Sequence, residues 1–141
     1  ESNIALASAE GNVVLVWDIN TGRKLKTLEG HNSSIQCVTI EPAGKIGASG
    51  GADNLVIVWD IQAGAQRYVL RKHTDWVRGL VISHDGNMLA TCSDDRSANV
   101  WNLASGTLRT PILGHTDWVR CVLFEETPNR LITGSDDRSV R

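Results

Sequence analysis

The sequence has 141 residues, 41% hydrophobic and 21% charged, a balance that excludes a disordered tail and a collagen-like fibre. A formal net charge of −2, with Lys and Arg interspersed among Asp and Glu, leaves no basic field to attract nucleic acid or anionic lipid. There is no run of about 18 apolar residues and no secretory pattern at the N-terminus, so no membrane segment is expected.

Along the chain one period dominates. Trp17, Trp59 and Trp101 lie 42 residues apart, and Gly22, Gly64 and Gly106 keep the same spacing. So do His31, His73 and His115, and again Asp53, Asp95 and Asp137. The segment His73-Thr-Asp-Trp-Val-Arg78 recurs unchanged at 115–120. The first unit, residues 1–30, opens on what reads as the second strand of a set. The second, 31–72, shows short alternating apolar runs at 35–40, 46–50, 55–60 and 66–70. Turn residues part them at 41–44, 52–54 and 63–64. The third unit, 73–114, repeats this plan, and the fourth, 115–141, supplies strands at 119–124 and 131–134. No helical periodicity appears. A four-stranded antiparallel unit of this length cannot bury both faces alone, and stacking such sheets radially solves the problem, so the expected fold is an all-β propeller.

The residues that recur carry a resemblance. Gly30-His31, then Ser49, Asp53 and Trp59-Asp60, followed one unit later by His73, Thr91, Asp95 and Trp101-Asn102, is similar to the WD-repeat family. The resemblance implies four-stranded blades, each with a buried hydrogen-bonded chain: His31, Ser49, Asp53 and Trp59; His73, Thr91, Asp95 and Trp101; and His115, Thr133 and Asp137. The carboxylate would accept from the imidazole, the imidazole from the hydroxyl, and the hydroxyl from the indole N–H. Departures are Lys72 for the Gly before His73, Asn102 for the Asp after Trp101, and Ala7 and Gly11 in the first unit. Blade one is therefore expected to lack the full network.

Ser or Thr with His and Asp also make up a nucleophilic triad. Catalysis needs one activated nucleophile at a substrate pocket, whereas this set recurs in every unit beneath a Trp, so no catalytic residue is assigned. A hydrolase using a channel-lining His is the rival reading. The recurring histidines stand one per blade and His84 is solitary and expected to be exposed, so no metal is expected, and no nucleotide loop or other cofactor motif is present. Cys37, Cys92 and Cys121 form no CxxC pair and read as buried small filler, Gly79 and Gly50 being the equivalents of Cys37 and Cys92 one repeat away.

By the same resemblance, partners bind the face carrying the loops between blades. Trp76, Arg78 and Asp94 in one blade and Trp118, Arg120 and Asp136 in the next are the candidates, with Ser34, Gln36 and Ala52 at the matching places of blade two. Trp and Arg are enriched in interface hot spots. The alternative is that Trp76 and Trp118 pack between blades. The expected function is a non-enzymatic scaffold that binds proteins or peptides within a larger signalling or assembly protein of the cytoplasm or nucleus. A closed propeller has about four to eight blades, so ring closure is expected from more of the same chain or from further copies, with self-association of an isolated 1–141 segment.

Overall fold

The computed structural model describes residues 4–8, 11–125 and 130–141, which hold thirteen strands and no helix. Sheet one contains β1 (Ile4–Ser8), β2 (Val13–Asp18) and β3 (Arg23–Glu29). Sheet two contains β4 (Ile35–Ile40), β5 (Ile46–Gly51), β6 (Val56–Asp60) and β7 (Ala65–Leu70). Sheet three repeats it with β8 (Val77–Ile82), β9 (Met88–Ser93), β10 (Ala98–Asn102) and β11 (Leu108–Ile112). Sheet four pairs β12 (Val119–Phe124) with β13 (Leu131–Ser135), extended by a bridge from Gly134 to Val140. Within each sheet the strands lie in chain order, every neighbour antiparallel. Strand ends differ by a residue from the sequence reading at several turns. At the tight β5–β6 turn, for example, the Gly51 N–H donates to the Leu55 carbonyl, which draws Gly51 into the ladder.

Period-two alternation lets one strand serve two interfaces. On β6, Ile57 and Trp59 face back into a core with Val14, Val16, Leu28 and Ile35 of the preceding elements. Val56 and Val58 face forward into a core with Leu70, Val77, Leu89 and Trp101. Each fully buried side chain of this size contributes about 1.5–3 kcal/mol, so the stacking of sheets supplies the stability that no single sheet has.

The inner hairpins explain the cysteines. Cys37 pairs across strands with Gly50, Gly79 with Cys92, and Cys121 with Gly134. Each hairpin holds one sulfur against one bare Cα, and the order is swapped in sheet three. A Cβ on Gly50 would stand 2.5 Å from Cγ1 of Val77 and 2.9 Å from Sγ of Cys37, so the site has no room for a side chain. Burial pushes the Cys37 and Cys92 thiols up to about 12, which makes them inert packing groups. Cys121 corrects the sequence reading: it is exposed, because among the described residues nothing covers that part of β12.

The substitution of Asn102 for the Asp after Trp101 keeps its job. Asp60 Oδ1 accepts from the Ala63 N–H at 2.7 Å, and Asn102 Oδ1 accepts from the Ser105 N–H at 3.0 Å. Both cap the turn that Gly64 and Gly106 complete at φ 70° and 68°, where a side chain would be strained. The turn requires an acceptor there, and a negative charge is not needed.

Candidate functional site

Two constellations recur from blade to blade, one buried and one exposed. In the buried one, the Trp59 indole N–H donates to Ser49 Oγ at 2.8 Å, and Ser49 Oγ lies 2.8 Å from His31 Nε2. His31 Nδ1 donates to Asp53 at 2.9 Å. Sheet three brings together Trp101, Thr91, His73 and Asp95 through contacts of 3.1, 2.8 and 2.8 Å. In sheet four, His115 reaches Thr133 at 2.8 Å and Asp137 at 2.7 Å. The side chain of Ala7, the first-unit counterpart of Ser49, lies outside the described residues.

Each carboxylate also clamps the tight turn on which it sits. Asp95 accepts from the Thr74 and Ser97 N–H groups at 3.0 and 2.9 Å, and from Ser97 Oγ at 2.6 Å. The next residue, Arg96, is held at φ 69°, as are Asn54 and Arg138 at φ 67°, a conformation uncommon for Arg. Burial works to raise the Asp95 carboxyl, but the hydrogen bonds from His73 and Ser97 outweigh it and hold the group well below the usual carboxylate range. Asp137 is held low by Ser139 first, against burial, and then by His115. The Asp–His–hydroxyl chain has the connectivity of a nucleophilic triad, yet Ser49 and Thr91 are 0% exposed and receive an indole N–H. A substrate has no path to either hydroxyl. His84 is exposed, and the neighbouring Ser83 hydroxyl donates to Asp85 instead of pairing with an imidazole. Among the described residues no three His, Cys, Asp or Glu side chains are grouped to hold a metal.

Asn99 adds a feature unique to sheet three. Its Nδ2 lies 3.4 and 3.2 Å from the two ring nitrogens of His73. An in-plane group at such distances would overlap the intervening Cε1, so the amide sits over the ring face. Its Oδ1 is buried with no partner. The equivalent position one repeat earlier is Ile57, fully buried. Replacing Asn99 by Ile should stabilise the fold by about 1–3 kcal/mol, the cost of a buried unsatisfied acceptor; urea unfolding checks this, and a destabilised variant would show that the amide is satisfied.

The exposed constellation is built by a bulge. On the inner strand Val77 pairs with Ser93 and Gly79 with Cys92, which leaves Arg78 as the extra residue; β12 does the same around Arg120, and β4 around Gln36. A bulge re-aims its side chain out of the strand's alternation. Arg78 thereby reaches the tight turn, where Nε donates to Asp94 Oδ1 at 2.9 Å and Nη2 to Oδ2 at 2.6 Å. Arg120 binds Asp136 Oδ2 through Nε and Nη2 at 2.9 and 2.6 Å, and its Nη1 lies 4.0 Å from Asp94. The Asp94 N–H donates to the Trp76 carbonyl, and the Asp136 N–H to the Trp118 carbonyl, which ties the entry loop to the turn in each blade.

The guanidiniums stack on the indoles. Arg78 Cζ is 4.7 Å from the Trp76 ring centroid and 6.0 Å from that of Trp118, and Arg120 Cζ is 4.6 Å from that of Trp118. Trp76, Arg78, Trp118 and Arg120 thus form an alternating ladder across two blades. Trp76 and Trp118 stay 43% and 41% exposed, so neither indole is enclosed. Asp94 departs from the expectation of exposure: it is buried at 6%, because Arg78 lies across it and Arg120 of the next blade lies beside it. Its hydrogen bond holds the Arg78 guanidinium above its usual value, and the Arg120 hydrogen bond holds the Asp136 carboxyl below its own. In blade two the ladder stops, with Ser34 and Gln36 exposed and Ala52 half-buried. The sequence reading missed two parts. The bulge leaves no composition signal, and Asp75 and Asp117, whose Oδ1 atoms accept the N–H of the adjacent Trp at 2.8 Å, were visible only as members of the repeated hexapeptide.

Comparison with known proteins agrees with this geometry. Mitochondrial division protein 1 of Aspergillus clavatus and that of Aspergillus niger are each 47% identical over 36 residues, 26% of this chain and 6% of theirs. The solved structure of U3-55K is similar over 99% of this chain and 47% of that one, at 26% identity and a TM-score of 0.85. The chain therefore spans under half the length of that protein and a small part of the others. The family description "WD domain, G-beta repeat" matches residues 22–60, 64–102 and 106–141. With more than half of its length matched and the blades in place, the chain belongs to the WD-repeat family.

Proposed function

We propose that this chain is a non-enzymatic protein-interaction module of a larger signalling or assembly protein in the cytoplasm or nucleus. Trp76, Arg78, Asp94, Trp118, Arg120 and Asp136 would form its partner-binding face. The observation that carries this reading is the pair of indoles, each over two-fifths exposed and each backed by a guanidinium that a carboxylate immobilises. Large aromatic area held rigid before binding costs little ordering entropy on contact, which is what a hot spot needs. Closure of the ring by further blades or by a second copy belongs to the same proposal. The outer sheets leave Ile19 58% and Val140 75% exposed, apolar surface that association would cover.

The test is the double variant Trp76→Ala with Trp118→Ala. Affinity for a protein partner captured by the intact protein should fall about tenfold or more, with the melting temperature nearly unchanged. A large drop in melting temperature with affinity intact would return both residues to a packing role.

A further inference from the structure

We propose that the ladder binds a protein segment presenting two cationic side chains, Lys or Arg, one for each Asp-Trp rung; the proposal rests on the partner-binding reading of this face. Both cations of the ladder are already engaged. Arg78 is held by Asp94, which is 4% exposed at its side chain, and Arg120 by Asp136. The carboxylates Asp75 and Asp117 differ. Both residues are exposed, each has one oxygen accepting the N–H of the following Trp, and among the described residues neither has a cation within ion-pairing distance. Their charge reaches the ladder, since Asp75 acts on Arg78 and Asp117 on Arg120. Counting Asp75, Arg78, Asp94, Asp117, Arg120 and Asp136, the ladder has four carboxylates against two guanidiniums, with the exposed Arg96 and Arg138 on the neighbouring turns.

Each rung therefore offers an exposed indole beside an uncompensated carboxylate. A Lys or Arg lays its aliphatic stem on the ring and brings its charge to the acid, so one side chain uses both features. An acidic partner fits less well. It would compete with Asp94 and Asp136 for guanidiniums already bound through two nitrogens, and would be left with Arg96 and Arg138 on the neighbouring turns. Blade two offers no third rung, because Ser33 and Ser34 replace the Asp-Trp pair. The site is thus two-pronged, and binding should depend on both cations together.

The probes are fluorescein-labelled Gly/Ser peptides carrying two Lys at separations of two to five residues, with counterparts bearing one Lys or two Glu. They are titrated against the intact protein by fluorescence anisotropy. At least one two-Lys peptide should bind about tenfold more tightly than either counterpart, and more weakly as salt rises. Asp75→Asn with Asp117→Asn keeps the oxygen that caps each Trp N–H and removes the charge, so it should abolish that preference without shifting the melting temperature. Equal binding by this variant, or a preference for the two-Glu peptide, would overturn the proposal. The underlying reading has its own control: if Trp76→Ala/Trp118→Ala releases the captured partner and Asp75→Asn/Asp117→Asn does not, the face binds partners and the cationic assignment fails. If neither variant releases it, both fail.

Discussion

Truncating Trp59 or Trp101 to Ala should destabilise the fold by about 3–5 kcal/mol, the range for removing a large buried aromatic. Trp59 is 1% exposed and fills the space between sheets one and two, and Trp101 at 5% does the same between sheets two and three. Each deletion opens a cavity where two blades meet and removes the indole N–H from a fully buried hydroxyl, Ser49 or Thr91. Chemical denaturation followed by circular dichroism measures the loss without using the fluorescence of the residue removed. Trp101→Phe separates the two causes, since it keeps most of the volume and should cost only about 0.5–1.5 kcal/mol for the missing hydrogen bond. A loss under 1 kcal/mol for Trp59→Ala would be incompatible with the interface described.

Asp95→Ala should cost about 2–4 kcal/mol at neutral pH, because it strips an acceptor from the buried His73 Nδ1–H and from both the N–H and the hydroxyl of Ser97, at roughly 1–3 kcal/mol for a buried unsatisfied group. The effect has a pH signature. The folded Asp95 carboxyl titrates below its ordinary value of 3.8, so its stabilisation is complete above that value and is lost as pH falls through the lower, folded one. The gap between wild type and Asp95→Ala should therefore be constant near neutrality and close below about pH 4. A gap that stays constant down to pH 2 would mean that the carboxylate makes no special contribution in the folded state.

Much of this was legible in the sequence because the period is long, gapless and marked by residues with one physical use. A 42-residue recurrence of His, hydroxyl, Asp and Trp leaves little choice of fold, since the same four groups must meet in the second and third units and three of them in the fourth. The exposed ladder was legible only in outline. Its six residues repeat, but that Asp94 is buried while Asp136 is not depends on the neighbouring blade, whose Arg120 lies beside Asp94. The bulge at Arg78 was hidden, because the run Val77-Arg78-Gly79-Leu80 reads the same with or without a skipped pairing. Asn99 was hidden for the opposite reason: one polar residue amid apolar ones breaks no pattern strongly enough to be seen. Cys121 was misread as buried because its equivalence to Gly79 says what it packs beside, and says nothing of what covers it.

The alternation of sulfur and glycine in the inner hairpins also bears on how such a chain can evolve. Tandem units this similar invite unequal recombination, and where the exchange falls decides whether the product packs. A crossover between the two strands of the hairpin would join Cys37 of one unit to Cys92 of the next, placing two sulfurs where the space holds one. The reciprocal product would set Gly79 opposite Gly50 and leave a hole. A crossover anywhere else hands on the hairpin intact, with one sulfur and one glycine. In exchanges with the third unit the heritable piece is therefore the whole hairpin, and its two strands are bound to travel together.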